Sequence, residues 1–217
     1  MEKRIEIAGW ERKEVFEFFS RASNPFYMVT FRQDVTNLYA YVKKHQLSFY
    51  YALIYLCTQA VNQVEAFHYT IRAGEVYRLE SRTPSFTDLR KNAAQFHIVT
   101  MPQGDSEAGL SMEDFCREAR ERSQRQSGFL EAEEETDRLI YFSCLPWLDI
   151  TAVTNERDLA APSARDESIP HIAWGKYVRT GERLELGLSI EVNHRLIDGI
   201  HIGQMAQELT RRIEALS

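Results

Sequence analysis

The chain has 217 residues, 44% of them hydrophobic and 12% aromatic, which is apolar mass enough for one sizeable core. Its 26 basic against 32 acidic side chains leave a net charge of −6, and no basic run is interleaved with aromatics, which excludes nucleic acid as the main partner. The charged opening "MEKRIEIAGWERK" lacks the apolar core of a signal peptide and the longest apolar stretch, Phe49–Cys57, is too short to span a bilayer; Cys57, Cys116 and Cys144, odd in number and far apart, point to reduced thiols in a cytoplasm rather than a disulfide frame or a zinc site.

In chain order, Trp10–Ser23 reads as a short amphipathic helix with Val15, Phe18, Phe19 and Ala22 on one face, stopped at Asn24-Pro25. Phe26–Val35 follows as a strand. Asp34 caps a helix marked by Val35, Leu38, Tyr39 and Val42. Ser48–Val64 is apolar nearly all round, as a helix buried on most sides would be. Phe67–Ser81 is two strand-like runs joined at Ala73-Gly74, a hairpin. Gln95–Met101 is a further strand. Gln103–Asp114 is the loosest segment, ending at a helix start near Ser111 that runs to about Gln126.

Glu131–Asp137 is an acidic loop read as solvated. Arg138–Thr154 holds two strands broken at Pro146, and Pro162–Pro170 is a polar loop. His171–Thr180 and Arg183–His194 are strands around a turn at Gly181. The last helix shows one face at Ile202, Met205, Ala206, Leu209 and Ile213. With no internal repeat and no clean linker, one α+β domain over residues 1–217 is expected.

The stretch "SIEVNHRLIDGIHIG" (Ser189–Gly203) carries the chemistry. Leu184, Leu186, Leu188, Ile190 and Val192 fall on even positions, and side chains alternate along a strand, so they form one buried face. His194 continues that phase where the backbone leaves the sheet, and Gly199 is read as allowing a tight turn before the last helix. An imidazole with an ordinary pKa of about 6.5 suits a general base there. A core histidine satisfied by a backbone carbonyl is the other reading of the same spacing.

"NHRLIDG" resembles the His-x-x-x-Asp-Gly signature of the chloramphenicol acetyltransferase family, which also appears in the acyltransferase domains of 2-oxo-acid dehydrogenase complexes. "WERKEVFEFF", "FYYALIYLCTQAVNQ", "SFTDL", "SCLPW", "GKY" and "DGIHIGQM" resemble further blocks of that family, in family order over nearly the whole chain. No lipoyl or peripheral-subunit-binding segment precedes the domain, so a dehydrogenase-complex role is not expected.

The resemblance implies a two-layer fold with a central mixed sheet flanked by helices on one side. It implies direct acetyl transfer from acetyl-CoA to a hydroxyl of a small acceptor in a ternary complex, with no metal. His194 matches the base and Ser143 the hydroxyl donor to the oxyanion. Ser143 is otherwise an ordinary strand serine or an acylated nucleophile, the last weakened by the missing Gly-x-Ser-x-Gly elbow. Asp198 matches a structural partner of an arginine at the place of Arg12; capping of the last helix is its alternative. Lys176 and Tyr177 of "GKY" match the cofactor channel. His201 matches a family position without an assigned chemistry. The family's threonine before "GKY" is here Ala173.

The resemblance also implies a homotrimer with active sites between subunits. Phe18, Phe96 and Leu130 keep the apolar character of the acceptor pocket. Phe26 and its neighbour Pro25 replace smaller residues, Tyr141 an asparagine, Ile98 an alanine and Asn155 a leucine. Chloramphenicol is therefore expected to be a poor acceptor or one among several. The alternatives are a non-catalytic binding module on the same fold and an acyltransferase for an unrelated alcohol.

Overall fold

The structure, a computed structural model, describes residues 2–89, 95–102, 110–157, 159–160 and 162–217. Its longest strand is β10, Arg183–Asn193. The even residues Leu184 to Val192 are all buried, as alternation requires. Ser189, Glu191 and Asn193 on the other face are buried too, so something covers both faces.

β10 pairs antiparallel with β2 (Phe26–Asp34) on one side and with β8 (His171–Gly175) and β9 (Val178–Thr180) on the other. β7 (Leu139–Leu145) runs parallel to β8, β5 (Thr83–Leu89) parallel to β7, and β6 (Phe96–Thr100) closes the edge antiparallel. The main sheet is therefore mixed, in the order β2-β10-β8-β7-β5-β6, with β9 beside the start of β10. β1 (Lys3–Arg4), β3 (Tyr69–Arg72) and β4 (Glu75–Arg78) form a small second sheet in the order β1-β4-β3. Ala73 and Gly74 both take positive φ between β3 and β4, which is what a two-residue hairpin turn demands.

The helices are α1 (Lys13–Ser20), α2 (Thr36–Lys44), α3 (Phe49–Asn62), α4 (Met112–Arg125) and α5 (Gly199–Glu214). α3 is buried on most sides between α2, α4, α5 and the sheet, and its start is capped by Ser48, which accepts from Tyr51 N. α4 is capped in the same way by Ser111. One core cluster joins the even face of β10 to α2, α3, α4 and α5. The opposite sheet face is crossed by the strap of residues 148–157. Added Cβ atoms at Gly175 and Gly187 would stand 2.5 Å from Leu148 O and 2.4 Å from Ile150 O. Val153 N donates to Ser189 Oγ and Asn155 N to Glu191 Oε2. This is the expected α+β arrangement, a mixed sheet with its helices on one side.

Several local expectations are corrected. α1 is short and buries Phe16, against Trp10 and Arg195, rather than the face of Val15, Phe18, Phe19 and Ala22. β5 went unread because it contains Pro84 and is buried on both faces over Pro84–Phe86, so it shows no alternation. β7 ends just before Pro146 and no second strand follows among the described residues of 147–154; Val153 N and Asn155 N of the strap donate to the Ser189 and Glu191 side chains instead. The acidic 131–137 loop is not simply solvated, since Glu134 pairs with Arg122, Glu135 accepts from Tyr141 Oη, and Asp137 pairs with Arg72. The polar loop after Ala160 contains a short 3-10 helix, Pro162–Asp166. Of the loose Gln103–Asp114 segment, residues 103–109 lie outside the described residues.

Arg82, 2% exposed, ties the two sheets together. Its guanidinium donates to the carbonyls of Phe67, Tyr69, Asp137, Leu139 and Ser168, and burial pushes its pKa down to about 9.

Candidate active site

His194 N donates to Pro25 O at 2.8 Å, carrying the β10–β2 pairing one step beyond Asn193↔Phe26. The imidazole stays on the helix face and lies between two rings. Phe19 is stacked on it at 3.9 Å and 23°, and Tyr27 is at 4.1 Å and 32°. The side chain keeps 29% exposure, so it is reachable rather than sealed in the core. Its Nε2 lies 3.4 Å from Asp198 Oδ1. Loss of solvation lowers its pKa below the ordinary value; Asp198 opposes that and Arg12 adds to it.

Arg12 builds the frame. Its Nε donates to Arg195 O at 2.9 Å, and its Nη2 to His194 O at 3.0 Å and Asp198 Oδ1 at 2.7 Å, while Nη1 donates to Asp198 Oδ2. One planar fork thus fixes two carbonyls of the turn and the carboxylate four residues on. The Arg12 hydrogen bond holds the Asp198 carboxyl below its usual range. Asp198 also stands at the N-cap of α5, and its N–H donates to His201 Nδ1 at 2.9 Å, the return half of a capping box. The ion pair and the cap coexist. Gly199 is different: its φ is not positive and an added Cβ would meet nothing within 4 Å, so the turn does not require a glycine there. The bend is made by Arg12 and the cap.

Ser143 lies elsewhere. It pairs with Ala173, which pairs with Ser189, which pairs with Thr30, giving one row across the sheet on the face away from the helices. His194 is five residues along β10 from that row, two strands over, and on the helix face. At about 3.3 Å per residue and 4.8 Å per strand the two backbones are roughly 19 Å apart. One chain therefore does not bring Ser143 to its own His194.

The other sequence-selected residues divide the same way. Phe96, Ile98 and Tyr141 share the outer face with Ser143. Phe96 packs on Phe129 at 5.5 Å, and Tyr141 Oη donates to Glu135 Oε2 at 2.6 Å. Phe18 is exposed on α1, edge-on to Phe19 at 5.0 Å. Phe26 and Asn155 line a cleft of about 320 Å³ together with Tyr27, Met28, Arg157 and Glu191. Lys176 is exposed at the far end of β8, with its backbone N–H on Leu148 O at 2.7 Å. Tyr177 is half-buried against Tyr39 and Phe49 at 5.4 and 5.3 Å. Within one chain these residues do not line one pocket.

A sheet with this order, a histidine framed by an arginine–aspartate pair, and matching sequence blocks bear on family. The profile for "Chloramphenicol acetyltransferase" matches residues 2–210. The chain belongs to the chloramphenicol acetyltransferase family. Members of that family are coenzyme A-dependent O-acetyltransferases, with acetyl-CoA as cosubstrate. Chloramphenicol acetyltransferase 3 of Escherichia coli is 26% identical over 206 residues, covering 95% of this chain and 94% of the relative. A chloramphenicol acetyltransferase of Klebsiella sp is 27% identical over 218 residues, covering 96% and 95%. A solved chloramphenicol acetyltransferase shares the fold at a TM-score of 0.84 and 22% identity, over 98% of this chain and 100% of that one. The dihydrolipoamide acetyltransferase of Azotobacter vinelandii is similar at a TM-score of 0.68 and 18% identity, over 93% and 86%.

Sequence reasoning about the site missed the two rings that sandwich His194. Phe19 stood in the apolar spacing of α1, but its target did not; Tyr27 is opposite Val192 only once the β2–β10 register is known. It also missed the cap made by His201 and the buried pair of Arg157 and Glu191, whose signal was one acidic residue in the polar phase of β10. Among the described residues no group of side chains is suited to a metal ion, and no helix is long and apolar enough to cross a membrane.

Proposed function

We propose that this protein transfers an acetyl group from acetyl-CoA to a hydroxyl of a small acceptor by direct attack in a ternary complex, with His194 of one copy and Ser143 of another at each centre. One domain over residues 1–217, a homotrimer and a cytoplasmic location with free Cys57, Cys116 and Cys144 belong to the same reading. The observation that carries it is the Arg12 fork, which fixes the strand end and holds a desolvated imidazole between Phe19 and Tyr27.

The chemistry follows. A lowered pKa leaves the imidazole neutral near pH 7, able to take the acceptor's hydroxyl proton as its oxygen attacks the thioester carbonyl. The Ser143 hydroxyl donates to the oxyanion that forms. Collapse breaks the carbon–sulfur bond, and the imidazolium returns its proton to the leaving thiolate. Lys176 supplies a cation and Tyr177 an aromatic edge toward the acidic cosubstrate. The roughly 19 Å between Ser143 and His194 supports a site shared between copies, because neither residue can serve the other within one chain.

The test is a thiol-release assay with acetyl-CoA and a panel of hydroxylated acceptors, chloramphenicol first. Turnover with a raised Michaelis constant for chloramphenicol is expected, from Phe26, Tyr141, Ile98 and Asn155. Neither turnover nor coenzyme A binding would leave a binding module on this fold. A micromolar Michaelis constant with fast turnover would make the protein an ordinary resistance enzyme and the account of its pocket wrong.

A further inference from the structure

His201 has no part in the transfer step, yet it is bonded to the frame that carries the base. It is the third residue of α5, and its Nδ1 accepts the Asp198 N–H at 2.9 Å. In an ordinary capping box a glutamate or glutamine makes this return bond. An imidazole makes it only through a nitrogen that carries no proton. His201 is therefore neutral, with its proton on Nε2, whenever the bond is made. Loss of solvation and the Arg12 charge hold its pKa below the ordinary value, against the pull of Asp198.

Asp198 is held at two points. Its carboxylate sits in the Arg12 fork, with Nη2 2.7 Å from Oδ1, and its backbone N–H is on His201. That same Oδ1 is the atom 3.4 Å from His194 Nε2. The ion pair ties the carboxylate to the guanidinium but not the main chain from which the carboxylate hangs. The bond to His201 ties that main chain to the first turn of α5. Facing the His194 ring are Asp198 from the turn, Arg12 from the segment before α1 and Tyr27 from β2; facing His201 are Asp198 and Arg12. At His194 the Asp198 carboxylate favours the imidazolium and Arg12 opposes it.

We propose that His201 is a positioning residue for the base: by accepting the Asp198 N–H it keeps Oδ1 beside His194 Nε2, so that the carboxylate steadies the imidazolium formed when His194 takes the acceptor's proton. The proposal rests on the acetyltransferase reading above. It gives the second histidine of the Ser189–Gly203 stretch a share in rate that runs through Asp198.

The experiment labels the histidines with 13C at Cε1 and follows the His194 ring by NMR through a pH titration of the whole protein without substrates. The variants are His201→Gln, which accepts the same N–H, and His201→Leu, which cannot. Neither titrates at position 201, so the pair separates the hydrogen bond from any charge on the ring it replaces. His194 should titrate about half a pH unit or more lower in His201→Leu than in His201→Gln, a part of the about 1–3 that an adjacent opposite charge is worth. Repeated in the Asp198→Asn background, the difference between the two should vanish, because the carboxylate through which His201 acts is gone. In acetyl transfer to chloramphenicol, kcat should be about threefold or more lower in His201→Leu than in His201→Gln, with both Michaelis constants within about twofold.

Equal titration of His194 in the two variants would overturn the proposal, since the bond would not govern where the carboxylate stands. A difference that survives Asp198→Asn would overturn it as well, because the effect would not run through that carboxylate. A shifted ring with equal kcat would overturn the share in rate. Absence of transfer to every acceptor by the wild type would instead overturn the acetyltransferase reading, while the ring titration still decides by itself whether His201 places Asp198.

Discussion

At the His194 end of the sheet the imidazole lies between Phe19 and Tyr27, the residue's backbone N–H is on Pro25 O, and the Arg12 fork lies beneath the turn. At the Ser143 row the hydroxyl stands on the face away from the helices, with Ala173 beside it, Ser189 one strand further on, and its own chain's histidine roughly 19 Å off. On the proposed reading, one end holds the base and the other the oxyanion donor. What the contrast teaches is that local order and catalytic completeness are separate properties. On the proposed reading, the chain frames each group and a second copy finishes the constellation.

Removing the base should have the largest effect. His194→Ala should lower turnover by about 10²–10⁴ or more, with fold and assembly intact, as read by steady-state kinetics beside circular dichroism and sedimentation. Near-native turnover would end the mechanism. In the wild type, kcat/KM should fall on the acid side through a pKa below about 6.5, because burial disfavours the imidazolium. A limb above that value would mean that Asp198, not desolvation, dominates the ring.

Ser143→Ala should come next, costing about 10²–10³ in kcat with little change in either Michaelis constant, since its bond strengthens only as the oxyanion develops. If only the Michaelis constants rise, Ser143 binds and does not catalyse.

Arg12→Ala addresses the frame alone. It should cost about 3 kcal/mol of stability, the low end for breaking a buried pair, because Asp198 keeps 31% exposure. The sign of the pH dependence follows from the depressed Asp198 pKa. The pair's contribution is full above the unfolded value of about 3.9 and is lost as pH falls through the lower folded value. Thermal melts of wild type and variant should therefore converge in acid; parallel curves down to low pH would show that the pair contributes nothing through Asp198.

Gly199→Ala should have the smallest effect. With ordinary φ and open space at its Cβ, the change should be neutral or stabilising by up to about 1 kcal/mol. A large loss would mean that another chain occupies that space.

Much of the fold was legible because its signals are local. The even-numbered leucines of β10 announced a buried face, Ser111 announced the start of α4, and Ala73-Gly74 announced the hairpin. β5 was not legible, since a strand buried on both faces has no alternation to read. Nor was the strap, whose length after Pro146 looks like a strand but whose bonds go to Ser189 and Glu191 side chains. In the site, phase alone placed His194 on the inner face. The resemblance, not the spacing, singled out Arg12, 186 residues from Asp198. No pattern in the sequence signals that Arg157 would stack on Phe26, because that contact depends on how a non-repetitive strap crosses the sheet.

The most direct measurement of the central claim is complementation between two inactive variants. His194→Ala and Ser143→Ala are co-expressed, purified through distinct tags, and assayed as mixed oligomers against each variant alone. If each centre takes His194 from one copy and Ser143 from its neighbour in a trimer, every mixed oligomer restores about a third of wild-type turnover per centre, because one of its three interfaces pairs two intact groups. Mixed oligomers that stay as inactive as the separate variants would contradict the account and place both residues' work within a single chain.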